Sequence, residues 1–265
     1  MRACTYDSLG NTFLLLDYLD EKLAITLESG TIRSRIQQLC APSGLGVDGI
    51  LVLSKREAPT LFVYNADGSA GEMCLNGVRC AADYLYSSHK FPSTFEIMMS
   101  GKQISCHIQP NGAISTLIPA ATYQKKHTFS VGDKTIHGHS VDVGNPHLVI
   151  LEQCSSAWLR SHGSLIESHQ LFPARTNVEF IWPLAKDHYA MRIYERGVGM
   201  TAACSSGAVA ALTTLINQQQ ISYAQPIMLS MPGGDLRGII HEDGSVLLEA
   251  TAKKLADVTL QEPLF

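Results

Sequence analysis

The stretch Cys74-Leu75-Asn76-Gly77 has a counterpart 130 residues later in Cys204-Ser205-Ser206-Gly207. Each cysteine stands just ahead of a predicted helix that is rich in small residues. Each also follows a polar residue by nine positions, Asn65 in the first stretch and Glu195 in the second. This repetition predicts two half-domains that each bring one thiol to a shared cleft.

A thiol at the start of a helix lies in the field of the positive end of the backbone dipole, which favours the reactive thiolate. The free N–H groups of the same turn can bind a carboxylate. Two thiols on opposite faces of one carbon are what a stereochemical inversion needs. One thiolate would remove the α-proton of an amino acid and the other thiol would return a proton, without pyridoxal phosphate.

The composition excludes several classes of protein. In 265 residues, 45% are hydrophobic and 17% are charged, so a substantial core is expected. The net charge of −4 and the pI near 6.2 argue against a nucleic-acid partner. No apolar run is long enough for a membrane span and no signal peptide is recognised, so we expect a cytoplasmic protein.

The seven cysteines are scattered and none forms a C-x-x-C pair. Such usage is typical of a reducing compartment rather than of a disulfide framework. It also argues against a structural zinc site, so no metal is expected. Apart from the repeated pair, the cysteines are expected to be small buried hydrophobic residues.

Short apolar or alternating runs bounded by Gly, Pro or Asn predict two series of strands, and helical spacing predicts four helices. The predicted helices are 32–39, 76–87, 156–168 and 206–217. Because strands outnumber helices, we predict an α+β fold of two pseudo-symmetric halves. Each half is a mostly antiparallel sheet wrapped around a central helix, with the active site in the cleft between them.

The predicted first half, residues 1–118, carries Cys74, and the second half, residues 119–249, carries Cys204. The tail 250–265 is a candidate to pack back on the first half. Gly44–Gly49 matches the dinucleotide fingerprint G-x-G-x-x-G, but a strand rather than a helix is predicted to follow it. Gly197–Ala202 lacks the acidic residue expected about 20 positions later. We therefore predict no dinucleotide cofactor.

Several blocks together resemble diaminopimelate epimerases, in the order of that family. They are Gly10–Phe13, Gly44–Gly49, Asn65–Ser69 with Cys74–Cys80, Gly144–His147, Thr176–Phe180 and Glu195–Gly199 with Thr201–Cys204. The resemblance implies two pseudo-symmetric halves and interconversion of LL- and meso-diaminopimelate without a cofactor. This reaction serves the synthesis of lysine and of peptidoglycan precursors. The family also implies a monomer or a homodimer.

The resemblance implies a role for each matching residue. Cys74 and Cys204 are the base and the acid, and His147 and Glu195 orient or activate the thiols. The substrate is expected to be held by side chains of Asn11, Asn65, Asn145, Asn177 and Arg196. Its reacting carboxylate is expected to lie on the turns of Leu75, Asn76, Gly77, Ser205 and Ser206.

Three positions depart from the family pattern. Thr12 stands where Asp is usual, Leu75 where Gly is usual, and Ser205-Ser206 where Gly-Thr is usual. Leu75 is the most consequential because it adds a side chain beside an anion-binding turn. These departures leave the two thiols intact and raise the hypothesis of relaxed specificity toward a shorter acidic amino acid such as glutamate.

Three other functions stay open. A related two-thiol racemase of proline or hydroxyproline would share the cysteine pair, but would not need Arg196 and several asparagines for a second zwitterion. A thiol hydrolase using Cys74 with His147 would form an acyl-enzyme and tolerate loss of Cys204. A binding module without activity is the third, and the intact catalytic set argues against it.

Overall fold

The structure is a computed structural model that describes residues 2–20, 30–55, 58–71, 73–260, 262 and 264. Within these residues the chain forms seventeen strands and four helices, so the predicted α+β class is confirmed. Two compact units are distinguished, Met1–Thr116 with Ala250–Phe265, and Leu117–Glu249. None of the helices in the described part has both the length and the apolar character needed to cross a membrane.

The strands follow one another as β1 (Arg2–Ser8), β2 (Asn11–Tyr18), β3 (Gly49–Lys55), β4 (Pro59–Asn65), β5 (Thr94–Met99), β6 (Lys102–Ile108), β7 (Ile114–Ile118), β8 (Thr122–Val131), β9 (Lys134–Asp142), β10 (Pro146–Ile150), β11 (Asn177–Ala185), β12 (His188–Glu195), β13 (Gly199–Thr201), β14 (Ile227–Met231), β15 (Gly234–Ile240), β16 (Val246–Ala250) and β17 (Lys253–Val258). The helices are α1 (Gly30–Cys40), α2 (Leu75–His89), α3 (Ser156–Glu167) and α4 (Ser205–Asn217).

In the first unit the sheet order is β17, β1, β2, β3, β4, β5, β6. The pairs β17–β1, β1–β2, β3–β4 and β5–β6 are antiparallel, whereas β2–β3 and β4–β5 are parallel. Helix α2 packs against β1, β2, β3, β4, β6 and β17 of this unit. The sheet therefore surrounds α2 on several sides.

Strands β2 and β3 are buried on both faces, which explains their nearly continuous apolar sequences. Leu14, Leu16 and Ile50 join a hydrophobic cluster with Ile36 of α1. Leu51 points to the opposite face, because side chains alternate along a strand. There it approaches Gly77 of α2, where an added Cβ would be only 2.7 Å from Leu51 Cδ2.

In the second unit the sheet order is β8, β9, β10, β11, β12, β14, β15, β16. The pairs β10–β11 and β12–β14 are parallel. The other neighbouring pairs in this order are antiparallel. The short strand β13 adds to β12 in an antiparallel manner. Helix α4 packs against β8, β9, β10, β11 and β15.

Strands β10 and β11 are again covered on both faces. Leu148, Val178 and Phe180 form a hydrophobic cluster with Leu159 of α3. Helix α3 begins after Ser155, whose Oγ accepts a hydrogen bond from the Trp158 N–H at 3.2 Å. The alternate positions of β10 and β11 therefore face away from α3 and toward α4.

The four predicted helices are confirmed, with boundaries that differ by one or two residues at most ends. The sequence-based prediction missed strands β1, β8, β13, β15 and β17. Strand β8 is mostly exposed, and β17 is exposed along nearly its whole length. Neither shows the apolar alternation that marks a half-buried strand, so their pairing partners β9 and β1 define them instead.

The stretch Gly44–Gly49 follows α1 and ends at the first residue of β3. A helix precedes it and a strand follows, the reverse of the order that a dinucleotide fingerprint requires. The prediction that this stretch is not a dinucleotide site is therefore supported by the local topology.

Candidate active site

Cys74 is the N-cap residue of α2 and is half-buried. Its Sγ accepts a hydrogen bond from the backbone N–H of Gly77 at 3.4 Å. Ser, Thr, Asp and Asn are the usual residues at this position. A thiol there points to chemistry, because the helix start favours the thiolate.

A fully buried cation lies further along the same helix. The Arg79 guanidinium donates hydrogen bonds to Asn76 Oδ1 and to Ser8 Oγ, the latter at 3.1 Å. Burial lowers the pKa of Arg79 to about 10, and the charges of Cys80 and Cys74 oppose this shift. The sequence assigned Arg79 no role, although a charge inside an apolar helix was the available signal.

Two of the asparagines expected to hold the substrate lie at strand ends in the first unit. Asn65 ends β4 and its amide donates to Ser69 Oγ at 2.9 Å. Asn11 opens β2. Beside it, the N–H and Oγ1 of Thr12 donate to Asp48 Oδ2 at 2.7 and 3.0 Å. Thr12 thus binds the aspartate of a second sequence block despite replacing the usual Asp.

Cys204 is the N-cap residue of α4 and is buried. Its Sγ accepts from the Gly207 N–H at 3.4 Å and lies 3.3 Å from Ser206 Oγ. Burial raises the pKa of the Cys204 thiol well above its ordinary value, and the negative charges of Glu195 and Glu179 add to this effect. The surroundings of Cys204 therefore favour the protonated thiol.

Glu195 ends β12, where its Oε1 accepts from Thr201 Oγ1 at 2.5 Å. The backbone N–H of Arg196 donates to Asn177 Oδ1 at 2.9 Å, and the Asn177 amide donates to the Pro146 carbonyl at 2.9 Å. The Asn177 side chain thus connects two sequence blocks. Its role toward the substrate stays a prediction.

His147 is buried in β10, and its Nδ1 lies 2.7 Å from Oε1 of Glu179 on β11. A carboxylate accepts hydrogen bonds, so His147 donates through Nδ1–H. Its Nε2 lies 3.0 Å from the side-chain oxygen of Asn145. Glu179 belongs to the block Thr176–Phe180, but the sequence assigned it no role. A charge within the apolar run Val178–Ile181 was the signal that could have identified it.

The residues expected to hold the reacting carboxylate lie in the first turns of α2 and α4. Leu75, Asn76, Ser205 and Ser206 are all at least 95% buried. Leu75 is 1% exposed, so its side chain is buried. The other five cysteines are buried, as predicted. The described residues contain no cluster of three or more His, Cys, Asp or Glu side chains suited to a metal ion.

The sequence of this chain is similar to those of known proteins. A sequence profile of diaminopimelate epimerase matches residues 139–255. The diaminopimelate epimerase of Bacillus pumilus is 31% identical over 274 residues, with 95% of each chain covered. That of Blochmanniella floridana is 33% identical over 254 residues, covering 89% of this chain and 90% of the relative.

The fold also matches solved structures. A hydroxyproline epimerase from Agrobacterium vitis, crystallised with trans-4-hydroxy-L-proline, superposes with a TM-score of 0.74 at 10% identity. The match covers 100% of this chain and 94% of that one. At this identity the likeness concerns the fold alone. Sequence identity above 30% over nearly the full chain settles the relationship: the chain belongs to the diaminopimelate epimerase family and is an amino-acid epimerase.

Proposed function

We propose that this protein interconverts LL- and meso-diaminopimelate by a two-base mechanism. One cysteine thiolate removes the α-proton, the electron pair delocalises into the carboxylate, and the other thiol delivers a proton to the opposite face. The roles of the two sulfurs exchange for the reverse reaction. Atoms and charge balance within the pair, so the proposal requires no cofactor.

The observation that carries this proposal is the matched position of the thiols. Cys74 and Cys204 are both N-cap residues, and each accepts a 3.4 Å hydrogen bond from a glycine three positions later. The two diaminopimelate epimerases named above cover about nine-tenths or more of the chain. A purely structural role would not place a weak capping residue at both helix starts.

The N–H groups of each first turn would hold the substrate carboxylate, where negative charge accumulates when the α-proton leaves. Donors fixed before the reaction stabilise that charge without reorganisation. We assign this task to the turns of Leu75, Asn76 and Gly77 and of Ser205 and Ser206. The distal amino-acid end of the substrate is assigned to Asn11, Asn65, Asn145, Asn177 and Arg196.

We further propose that the two units are pseudo-symmetric halves, 1–118 with 250–265 and 119–249, with the substrate held between them. The pairing pattern supports this proposal. From β1 to β6 the ladder alternates antiparallel, parallel, antiparallel, parallel and antiparallel, and the same alternation runs from β9 through β10, β11, β12 and β14 to β15. Each ladder surrounds one helix that begins at a candidate catalytic thiol.

In the deciding experiment, the purified protein is incubated with diaminopimelate in deuterated water without added cofactor. α-Carbon exchange and inversion are followed in the parent, in Cys74→Ser and in Cys204→Ser. Because a hydroxyl is a far weaker acid than a thiol, inversion should fall by about a thousandfold or more in either variant. Full epimerisation with one thiol removed would refute the two-base mechanism.

The same assay separates the alternatives. A thiol hydrolase would leave Cys204→Ser active and would accumulate an acyl-enzyme on Cys74. A racemase of proline or hydroxyproline would exchange those amino acids and ignore diaminopimelate. Glutamate is tested in the same preparation, and the absence of glutamate racemisation would end the hypothesis of relaxed specificity.

A further inference from the structure

Glu179 is a fully buried carboxylate in the middle of an apolar strand. Its neighbours Val178 and Phe180 face the α3 cluster. Glu179 therefore points to the other face of the sheet, which α4 covers. Burying a charge is unfavourable unless it is paired. A buried carboxylate at this position therefore needs a partner, and its presence suggests a function.

The strand register supplies the partner. Strands β10 and β11 are parallel, with His147 beside Asn177 and Val149 beside Glu179. His147 and Glu179 therefore share the face toward α4 and lie diagonally, two residues apart. The resulting contact joins Nδ1 to Oε1 at 2.7 Å, and neither side chain is exposed.

The same carboxylate touches the start of α4. A Cβ added to Gly207 would lie 2.6 Å from Glu179 Oε1 and 2.9 Å from its Cγ. Gly207 is also the residue whose N–H donates to Cys204 Sγ. The second oxygen of Glu179, Oε2, is buried and accepts no hydrogen bond from the described residues. One carboxylate thus contacts both His147 and the turn that binds the thiol.

We propose that Glu179 is a positioning residue for the Cys204 side of the reaction. Its carboxylate accepts the Nδ1–H of His147, which fixes the orientation of the ring and holds Nε2 beside Asn145, a residue proposed to bind the substrate. Its negative charge beneath the first turn of α4 keeps Cys204 a thiol, ready to deliver a proton. This inference rests on the proposed function for its catalytic consequence.

Other charged and titratable groups lie on the elements that pack against α4 or end beside it. Glu195 at the end of β12 acts in the same direction as Glu179. His139 of β9 contacts Tyr123, and Arg237 of β15 pairs with Glu249. His127 of β8 contacts Ser140, while Lys125 and Lys126 of that strand are exposed. Glu179 is therefore the buried charge on the sheet face beneath the thiol.

The test compares Glu179→Gln with the parent and with Glu152→Gln. Glutamine keeps the shape and an acceptor oxygen but removes the charge. Glu152 pairs with Lys134 near the surface of the same unit, so its variant makes the same charge change away from α4. Iodoacetamide labelling of Cys204 is measured against pH without substrate, and peptide mass spectrometry distinguishes this cysteine from the others.

In Glu179→Gln the increase of the Cys204 labelling rate with pH should occur about half a pH unit or more lower than in the parent. At a fixed pH this is roughly threefold faster labelling. For diaminopimelate, kcat should fall about tenfold or more with KM little changed. Glu152→Gln should match the parent in both measurements. An unshifted labelling profile, or an unchanged kcat, overturns the proposal.

A second measurement uses the parent protein in case Glu179→Gln does not fold. Nitrogen-15 NMR of the histidine rings should show His147 protonated at Nδ1, and a proton on Nε2 with Nδ1 bare would overturn the proposal. Failure of the parent to exchange the α-proton of diaminopimelate would refute the proposed function instead. The labelling profile needs no substrate, so the two failures are distinguishable.

Discussion

Helices α2 and α4 begin with the same backbone arrangement and rest on different side chains. In both, an N-cap cysteine accepts from a glycine N–H at 3.4 Å. Under Gly77 lies Leu51, the third residue of β3, whereas under Gly207 lies Glu179, the third residue of β11. One helix start sits on an apolar side chain and the other on a carboxylate.

Charges of opposite sign act on the two thiols. Arg79 of α2 is a buried cation, and its interaction with Cys74 favours the charged forms of both groups. Glu179 and Glu195 are anions that favour the neutral thiol at Cys204. The comparison teaches that one capping geometry can favour a thiolate or a neutral thiol, depending on the charge placed behind it.

The largest difference in stability is expected between variants of the first residue of α2 and of α4. Leu75 is buried in the first unit, so Leu75→Ala should lower the free energy of unfolding by about 3 kcal/mol. Ser205 is the first residue of α4, and Ser205→Ala removes far less apolar contact. The free energy of unfolding should therefore fall by less than about 1 kcal/mol in this variant. Urea denaturation measures both, and equal losses would contradict the assigned packing of Leu75.

The next comparison concerns the two glycines. Gly207→Ala would force a methyl group against the Glu179 carboxylate, which His147 holds in place, and should cost about 2–3 kcal/mol. Gly77→Ala would meet the methyl end of the Leu51 side chain, which no hydrogen bond holds in place, and should cost about 1 kcal/mol. Thermal unfolding of both variants checks the order. A reversed order would show that Glu179 moves freely.

The far ends of the helices differ as well. His89 in the last turn of α2 lies 2.8 Å from Asp17 Oδ2, whereas the last turn of α4 has no basic residue. Burial favours a neutral Asp17 carboxyl, but hydrogen bonds from the Leu19 N–H, His89 and Tyr84 outweigh it and lower the pKa of Asp17.

A lowered pKa means that this stabilisation is full above the unfolded value near 3.9 and is lost as the pH falls below it. Asp17→Asn should therefore lose about 1 kcal/mol at neutral pH and show a flatter decline in stability below about pH 4. Thermal midpoints between pH 7 and pH 3 test this. Parallel curves for parent and variant would contradict it.

The smallest effect should appear at Cys74. Arg79→Met removes the cation, so iodoacetamide labelling of Cys74 should slow by about threefold at a fixed pH, opposite in sign to the effect of Glu179→Gln on Cys204. Arg79→Lys keeps the charge and serves as the matched control. Faster labelling in Arg79→Met would break the charge comparison between the two helix starts.

The sequence was informative where local chemistry is strong. The four helices could be predicted from their spacing, and α2 and α4 begin within one residue of the predicted positions. Strand β8 could not be predicted, because Gln124 to His127 are polar and its partner β9 determines its conformation. Exposed strands depend on pairing that no local pattern encodes.

The sequence by itself was enough to identify the two thiols, the glycines that follow them and the family to which the chain belongs. These are properties of short segments, since a helix start needs only its own few residues. Only the tertiary structure decided what lies beneath each helix. Arg79 and Glu179 gain their effect on Cys74 and Cys204 through burial and through strand register, and both depend on residues far apart in the chain.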